Sequence, residues 1–183
     1  MPITKLKLQY ILDAHASGLL DPDIAKHAGV SLASVKRYRS KLGLETHCTT
    51  AQRGSYGERL FAGLAQNQGL EVTWRTRENA PHDLTVAGRR VDVKTALRDA
   101  GVWRFRLSEY RSSFLGKYTY FKNYQEDCDV LALVCLFSTA REPDLYLLQS
   151  DGLSRDLRVR RGGHYEPFRD AWEVFEEPIS FRA

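Results

Sequence analysis

The sequence predicts an α/β domain, with a mixed central sheet flanked by helices, preceded by a small all-α module. Three observations carry this prediction. Residues 1–46 contain three helix patterns separated by turn signals. Residues 55–183 contain one helix pattern followed by alternating and continuous apolar runs, which are typical of strands. Residues 47–54 are small and polar without periodicity, so we interpret them as a linker between two domains.

Composition restricts the class of protein before any motif is considered. Of the 183 residues, 43% are hydrophobic and 27% are charged, which is typical of globular proteins. The net charge of +4 agrees with a polyanionic partner but does not require one. Three cysteines without zinc-finger spacing argue against a disulfide framework. There is no signal peptide and no apolar run as long as a membrane span, so we expect a cytoplasmic protein without a membrane partner.

The first module is predicted from its helix boundaries. Residues 5–17 carry an apolar stripe typical of a helix. Asp21 is predicted to cap the second helix, with Pro22 at its first position and Gly29 at its end. Ser31 is predicted to cap the third helix. The module is therefore expected to be a bundle of three short helices.

The spacing of small and apolar residues in this module resembles the helix-turn-helix of bacterial and phage DNA-binding proteins. Ala25 permits a close helix approach, Gly29 takes the left-handed turn, and Val35 packs the third helix onto the second. If the module docks as that family does, the third helix enters the major groove. The side chains nearest to the bases would then be Leu32, Ala33, Ser34, Lys36 and Arg37, with Arg39 and Lys41 on phosphates. The alternative is a three-helix module used for packing or dimerisation.

The second domain is predicted to begin with a helix at Ser55. Glu58 lies in its first turn, at the edge of the apolar stripe. It is either a helix-dipole residue, which is favourable in any first turn, or an acidic group aimed at a neighbouring site. Apolar and polar residues then alternate over residues 70–74, ending at Trp74, which predicts a half-buried strand.

A hairpin over residues 81–96 contains the residues that suggest chemistry. Side chains alternate along a strand, so Asp92 and Lys94 share one face and Val93 points to the other. Pairing of the two strands is expected to bring Asp83 beside Asp92. Two carboxylates suit a hard divalent cation, and a neighbouring lysine can orient or activate a water for attack on phosphorus. The alternative is an exposed hairpin whose aspartate and lysine only form an ion pair.

The remaining elements are predicted to complete the sheet. Alternation over residues 103–107 indicates a strand with arginines on its exposed face. Residues 130–137 are continuously apolar, which indicates a central strand buried on both faces, with residues 145–148 as its neighbour. Residues 108–129 interleave aromatic and basic side chains, and we favour an amphipathic core helix over a surface that stacks on nucleic acid. The arginines of residues 155–161 lie either in a phosphate-contacting loop or on a solvated face.

The order of elements and the motifs of residues 54–150 resemble the core of the PD-(D/E)XK nuclease superfamily. The motif is Asp83 followed by Asp-Val-Lys at 92–94, with Asp at the middle position where Glu is commoner. Gly-Glu at 57–58 makes the chain more narrowly similar to the group I intron-associated endonuclease branch. Archaeal-type Holliday junction resolvases share the same layout of acidic residues and lysine.

The resemblance implies a role for each residue of the motif. Asp83 and Asp92 bind Mg²⁺, for which Mn²⁺ substitutes, with the Val93 carbonyl as a candidate third oxygen ligand. Lys94 positions the attacking water, and Glu58 orients a water or helps a second metal ion. The implied products carry a 5′-phosphate and a 3′-hydroxyl and form without a covalent enzyme intermediate. The resemblance also implies a homo-oligomer, either a dimer or a higher assembly.

We therefore predict a Mg²⁺-dependent endonuclease that hydrolyses DNA at a site selected by the helix-turn-helix, in a homing- or restriction-like setting. Its expected partner is double-stranded or branched DNA, and we expect to find it with nucleoid or phage DNA. Two alternatives stay open. One is a structure-specific Holliday junction resolvase, although base readout is wasted on a branch point. The other is a DNA-binding regulator whose nuclease-like domain is inactive, although the intact acidic residues and Lys94 weigh against this.

Overall fold

The chain divides into two compact units in the computed structural model. The structure describes residues 3–76, 80–112 and 118–176. The first unit comprises Met1–Gln52 and Ser112–Thr119, and the second comprises Arg53–Arg111 and Tyr120–Ala183. Each unit has an apolar core of its own. Within the described ranges, every helix is too short or too polar to cross a membrane.

The first unit is built from three helices close to the predicted positions. They are α1 (Lys5–Ala16), α2 (Asp21–Ala28) and α3 (Leu32–Lys41). One small core joins them, because the apolar positions recur at helical spacing. Its buried members are Ile11, Ala14, Ile24, Ala25, Ala28 and Val35.

Two of the predicted helix boundaries in this unit are confirmed and one is wrong. Ser31 caps α3 by accepting a hydrogen bond from the Ser34 N–H at 3.2 Å. Gly29 ends α2 in the left-handed conformation, with φ of 58°. Asp21 does not cap α2, because it is the first residue of that helix, and its carboxylate instead accepts from Arg39 Nε at 3.0 Å.

Helix α4 (Thr49–Asn67) begins earlier than the predicted start at Ser55. Residues 49–54, which we had assigned to a linker, are therefore helical. The physical reason is that Ala51, Gln52 and Arg53 all have high helix propensity, so the helix extends although it has no apolar stripe there.

The strands follow in an order that produces a mixed sheet, as predicted. They are β1 (Val72–Trp74), β2 (Leu84–Val86), β3 (Arg89–Leu97), β4 (Trp103–Arg106), β5 (Tyr110–Ser112), β6 (Thr119–Phe121), β7 (Val130–Leu136), β8 (Asp144–Gln149) and β9 (Asp156–Val159). The main sheet has the order β1-β2-β3-β7-β8, in which β3 and β7 are parallel and the other neighbours are antiparallel. Strands β4 and β9 form a separate antiparallel pair, as do β5 and β6.

Strand β7 is buried on both faces, which confirms the prediction from its continuous apolar run. Val130, Ala132 and Val134 enter a core shared with Phe61 and Ala65 of α4. On the opposite face, the alternate residues of β7 enter a second core covered by β4 and β9. The members of that core include Leu131, Leu133, Trp103, Phe105, Leu157 and Val159.

Three predictions about the periphery of this unit differ from the structure. Trp74 is 44% exposed, because β1 is an edge strand. The described parts of residues 108–129 contain β5, β6 and the single-turn helix α5 (Tyr124–Asp127), not a long amphipathic helix. Tyr, Thr and Phe favour strands, which explains β6, whereas residues 113–117 lie outside the described residues. Strand β9 was not predicted.

The last described segment contains two 3-10 helices, Glu166–Phe168 and Trp172–Phe175. Phe175 is buried and Trp172 is half-buried.

Candidate active site

The antiparallel pairing of β2 with β3 brings Asp83 and Asp92 together. Leu84 pairs with Val91, so Asp83 and Asp92 occupy the next position of the register. The Asp83 N–H donates to the Val91 carbonyl at 2.9 Å, and the Asp83 carboxylate accepts from the Val93 N–H at 2.9 Å. The hairpin predicted from the sequence therefore forms, with its two carboxylates side by side.

Lys94 lies on the same face of β3 as Asp92, as alternation predicted. Val93 points the other way, into the core beneath α4. The Lys94 ammonium contacts Asp92 Oδ1 directly. Because Asp92 is only 4% exposed, this ion pair is largely shielded from water.

A second lysine, which the sequence did not single out, completes the environment of Asp92. Lys122 Nζ lies 2.6 Å from Asp92 Oδ2 and also contacts the Pro81 carbonyl. The ring of Tyr124 lies under both ammoniums, 4.7 Å from Lys122 Nζ and 5.5 Å from Lys94 Nζ. Lys122 is 7% exposed, and a buried lysine is unusual without such partners. We had grouped it with an aromatic and basic segment, where nothing marked it as a site residue.

An arginine connects Glu58 to Asp83. Arg75 contacts Asp83 Oδ1 with one terminal nitrogen, and its other terminal nitrogen lies 3.5 Å from Glu58 Oε2. The sequence did not single out Arg75, so its position as a bridge between two carboxylates is a new finding. The structure thus brings Glu58, Asp83, Asp92 and Lys94 into one region of the second unit.

A glycine sets the approach of α4 to β3. A Cβ at Gly57 would overlap Thr95 Oγ1 and lie 2.9 Å from Thr95 Cβ, which is closer than ordinary van der Waals contact. Only a residue without a side chain fits here. Because Glu58 follows Gly57 and Thr95 follows Lys94, this contact places the acidic residue of the helix beside strand β3.

Burial and neighbouring charges shift the pKa values of the three carboxyl groups of the site. Burial, followed by the charge of Asp83, raises the pKa of Glu58. Burial, followed by the charge of Asp92, raises the pKa of Asp83. For Asp92, burial is outweighed by Lys94 and Lys122 together, and the pKa lies below its usual range. Asp83 and Glu58 are thus the carboxyl groups that ionise with difficulty.

The charges of the site also shift the pKa of Lys94. Burial opposes its charge, but Asp92, Tyr124 and Asp83 together outweigh burial and raise the pKa of Lys94. Lys94 is therefore an ammonium at neutral pH. Burial raises the pKa of Tyr124 to about 12, so its hydroxyl remains protonated.

The donor set fits a divalent cation held by few protein ligands. Across the described residues, no three carboxylate, imidazole or thiol groups converge as a ready metal site. However, Mg²⁺ is usually held by one or two carboxylates plus substrate phosphate and water. Asp83 and Asp92 are adjacent, and the charge of Asp92 raises the pKa of Asp83, so a cation placed between them would relieve their repulsion.

The DNA-binding residues predicted in the first unit lie on or beside α3. Arg37 and Lys41 are exposed, whereas Ser34 and Lys36 are half-buried. Arg39 differs from the prediction that it contacts phosphate. Its guanidinium binds Asp21 and also donates to the Leu44 carbonyl at 2.8 Å, so it joins α3 to α2 and to the following segment.

Comparisons with known proteins give a likeness at the level of the fold. No protein-family model matches the chain, and no curated protein matches it. Among solved structures, it is similar to a bacterial homing endonuclease, I-Ssp6803I, with a TM-score of 0.55 and 15% sequence identity. The similarity covers 69% of this chain and 92% of that chain. The mixed α/β fold of this protein is therefore also the fold of a homing endonuclease.

Proposed function

We propose that this protein is a metal-dependent DNA endonuclease of the PD-(D/E)XK type. The observation that carries the proposal is the arrangement of Asp83, Asp92 and Lys94 on two paired strands of a mixed sheet. The fold shared with I-Ssp6803I supports it, because that protein is a homing endonuclease. The likeness alone would not suffice, since one fold can host unrelated functions.

Asp83 and Asp92 would hold Mg²⁺, with the Val93 carbonyl as a third oxygen ligand. When bound, such an ion supplies Lewis acidity to a phosphoryl oxygen and lowers the pKa of a bound water. Mn²⁺ shares the preference for oxygen ligands and is expected to substitute. Arg75 binds Asp83 in the structure, and its side chain is 32% exposed, so it is able to move toward a DNA phosphate when a cation binds.

Lys94 acts as a positive charge and not as a base. Because Asp92 raises its pKa, the ammonium has no lone pair with which to accept a proton. It orients the attacking water and offsets the negative charge that develops on the phosphate. Lys122 binds the other oxygen of Asp92 and so keeps that carboxylate ionised and fixed in orientation.

Glu58 is the residue best suited to accept the proton of the attacking water. Burial raises its pKa, which makes its carboxylate a stronger base than an exposed one. Attack of water on phosphorus then breaks the bond between phosphorus and the 3′-oxygen, which leaves a 5′-phosphate, and the departing 3′-oxygen takes up a proton from solvent to become the 3′-hydroxyl.

The first unit would select the cleavage site as a helix-turn-helix. Helix α3 presents Arg37 and Lys41 at its exposed surface, and Ser34 lies at its start. Groove contacts by such residues give specificity, and phosphate contacts give affinity. We further propose a homo-oligomer, since a dimer would cut both strands of a duplex.

One observation favours a second candidate, a DNA-binding regulator with an inactive site. The three carboxylates of Glu58, Asp83 and Asp92 face three cations, Arg75, Lys94 and Lys122. These cations offset most of the negative charge, although Asp127 also lies 3.7 Å from Lys122 Nζ, and carboxylates paired in this way attract a metal ion less strongly than unpaired ones. The endonuclease is expected to cleave DNA when Mg²⁺ is added, whereas the inactive regulator is not.

Incubation with supercoiled plasmid and with a synthetic four-way junction, in Mg²⁺ or in EDTA, separates the candidates. An endonuclease cuts the plasmid at discrete positions in Mg²⁺ and leaves it intact in EDTA. Cleavage confined to the junction would indicate a structure-specific resolvase. Binding of both DNAs without cleavage in either Mg²⁺ or Mn²⁺ would indicate the inactive regulator.

A further inference from the structure

Strands β4 and β9 form a two-stranded ribbon with one buried and one exposed face. Trp103, Phe105, Leu157 and Val159 point into the core and are almost fully buried. The alternate residues point outward, and they include three arginines: Arg104, Arg106 and Arg158. We call this exposed face the arginine ribbon. The apolar face anchors it, so its arginines project from a fixed backbone.

The arginine ribbon carries more positive than negative charge. Among the residues of the two strands, only Asp156 is acidic. Arg104 donates to both of its carboxylate oxygens, at 2.7 and 2.6 Å, and Arg158 Nε lies 3.7 Å from one of them. Arg106 pairs with Asp156 in the strand register. One carboxylate thus faces three guanidiniums, and the ribbon keeps an excess of positive charge.

The position of the ribbon links it to the candidate active site. An open cleft of about 430 Å³ is lined by Thr95, Leu97, Asp99 and three arginines, Arg53, Arg104 and Arg158. Thr95 directly follows Lys94 on β3, so the cleft lies one residue along that strand from the candidate site. Beyond β4, Ser108 and Tyr124 line one open pocket, and the ring of Tyr124 lies under Lys94.

We propose that the arginine ribbon binds the phosphodiester backbone of duplex DNA beside the scissile phosphate, an inference that rests on the proposed function. Guanidinium groups match phosphate oxygens in a bidentate geometry. Alternate residues of a strand lie about 7 Å apart, so Arg104 and Arg106 are spaced along β4, and Arg158 pairs with Arg104 across the ribbon.

The test is the salt dependence of DNA binding, measured in EDTA so that cleavage plays no part. Fluorescence anisotropy with a labelled duplex would compare the full-length wild type, R106Q/R158Q and the control R169Q. Arg104 is left intact because it is bound to Asp156. Arg169 is a matched control, since it is exposed but lies 3.0 Å from Glu166 and 3.8 Å from Asp170. Each phosphate contact contributes about 0.9 to the slope of log K against log salt, so losing two reduces the slope by about 1.8.

We expect R106Q/R158Q to show that reduced slope and R169Q to match the wild type. If the wild type binds no duplex, the proposed function fails and this inference with it. If the wild type and R106Q/R158Q bind with equal slopes, the inference alone is overturned. An equal reduction in R169Q would also overturn it, because loss of any positive charge would then have the same effect. Unchanged tryptophan fluorescence spectra of the variants would establish that both remain folded.

Discussion

The contact between α4 and β3 at Gly57 gives a prediction whose size follows from the structure. The heavy atoms nearest to an added Cβ all belong to Thr95: Oγ1 overlaps it, Cβ lies at 2.9 Å and Cγ2 at 3.0 Å. Rotation about χ1 of Thr95 moves Oγ1 and Cγ2 away, but it leaves Cβ in place. Gly57→Ala therefore forces the helix and the strand apart by a few tenths of an ångström.

The expected free-energy change is the sum of two opposing effects. Overpacking costs about 1–3 kcal/mol. Alanine is a better helix former than glycine by about 1 kcal/mol, which offsets part of that cost. We expect Gly57→Ala to lower the free energy of unfolding by up to about 2 kcal/mol. Gly63, in the same helix, has no heavy atom within 4 Å of an added Cβ, so Gly63→Ala should raise the free energy of unfolding by about 1 kcal/mol.

Tryptophan fluorescence during urea denaturation measures this difference selectively. The three tryptophans, Trp74, Trp103 and Trp172, all lie in the second unit, so their signal follows the unit that contains the site. Gly57→Ala should also slow DNA cleavage, because Glu58 moves with the helix, whereas Gly63→Ala should not. Equal stabilisation by the two substitutions would refute the close contact between α4 and β3.

Four further predictions concern single side chains. Burial raises the pKa of Glu58, so its contribution to stability is present at pH 4 and is lost as pH rises through that pKa. Glu58→Gln should therefore slow cleavage. It should also raise the free energy of unfolding relative to the wild type, and urea denaturation should show a larger rise at pH 7 than at pH 4. Lys122→Met should raise the pKa of Asp92 and move the pH profile of cleavage to higher pH, whereas an unmoved profile would contradict the role of Lys122. Arg37→Ala should weaken binding at the preferred site by about 1–3 kcal/mol if Arg37 reads a guanine. Arg39→Ala should instead lower the thermal stability seen by circular dichroism, since Arg39 holds α3 to α2.

The local parts of the site were predictable because they depend on adjacent residues. Alternation along β3 placed Asp92 and Lys94 on one face, and the hairpin brought Asp83 to them. The unbroken apolar run of β7 likewise predicted a strand buried on both faces. In each case the spacing of side chains along one strand or one hairpin determines the result.

Arg75 and Lys122 escaped prediction because their partners are distant in sequence. Lys122 is buried by its contacts with Asp92, Pro81 and Tyr124, and no local pattern distinguishes a buried lysine from a solvated one. The helix predicted for residues 108–129 failed for a related reason. Strands β5 and β6 have three residues each, which is too short for a period of two to be recognised.

Arg39 illustrates the same limit in the first unit. A basic residue on a presumed DNA-binding helix suggests a phosphate contact, and its ion pair with Asp21 depends on how α2 and α3 pack. Because helix packing is a tertiary property, only the structure separates Arg39 from the exposed Arg37.

The most direct measurement of the central claim is the single-turnover cleavage rate of a duplex in Mg²⁺ and in EDTA. The proteins to compare are the wild type, Asp92→Asn and the control Glu142→Gln, which removes a carboxylate from an exposed loop. We predict cleavage by the wild type and the control in Mg²⁺, none in EDTA, and none by Asp92→Asn although it still binds DNA. Equal rates in Mg²⁺ and EDTA, or undiminished cleavage by Asp92→Asn, would contradict a metal-dependent site at Asp83 and Asp92.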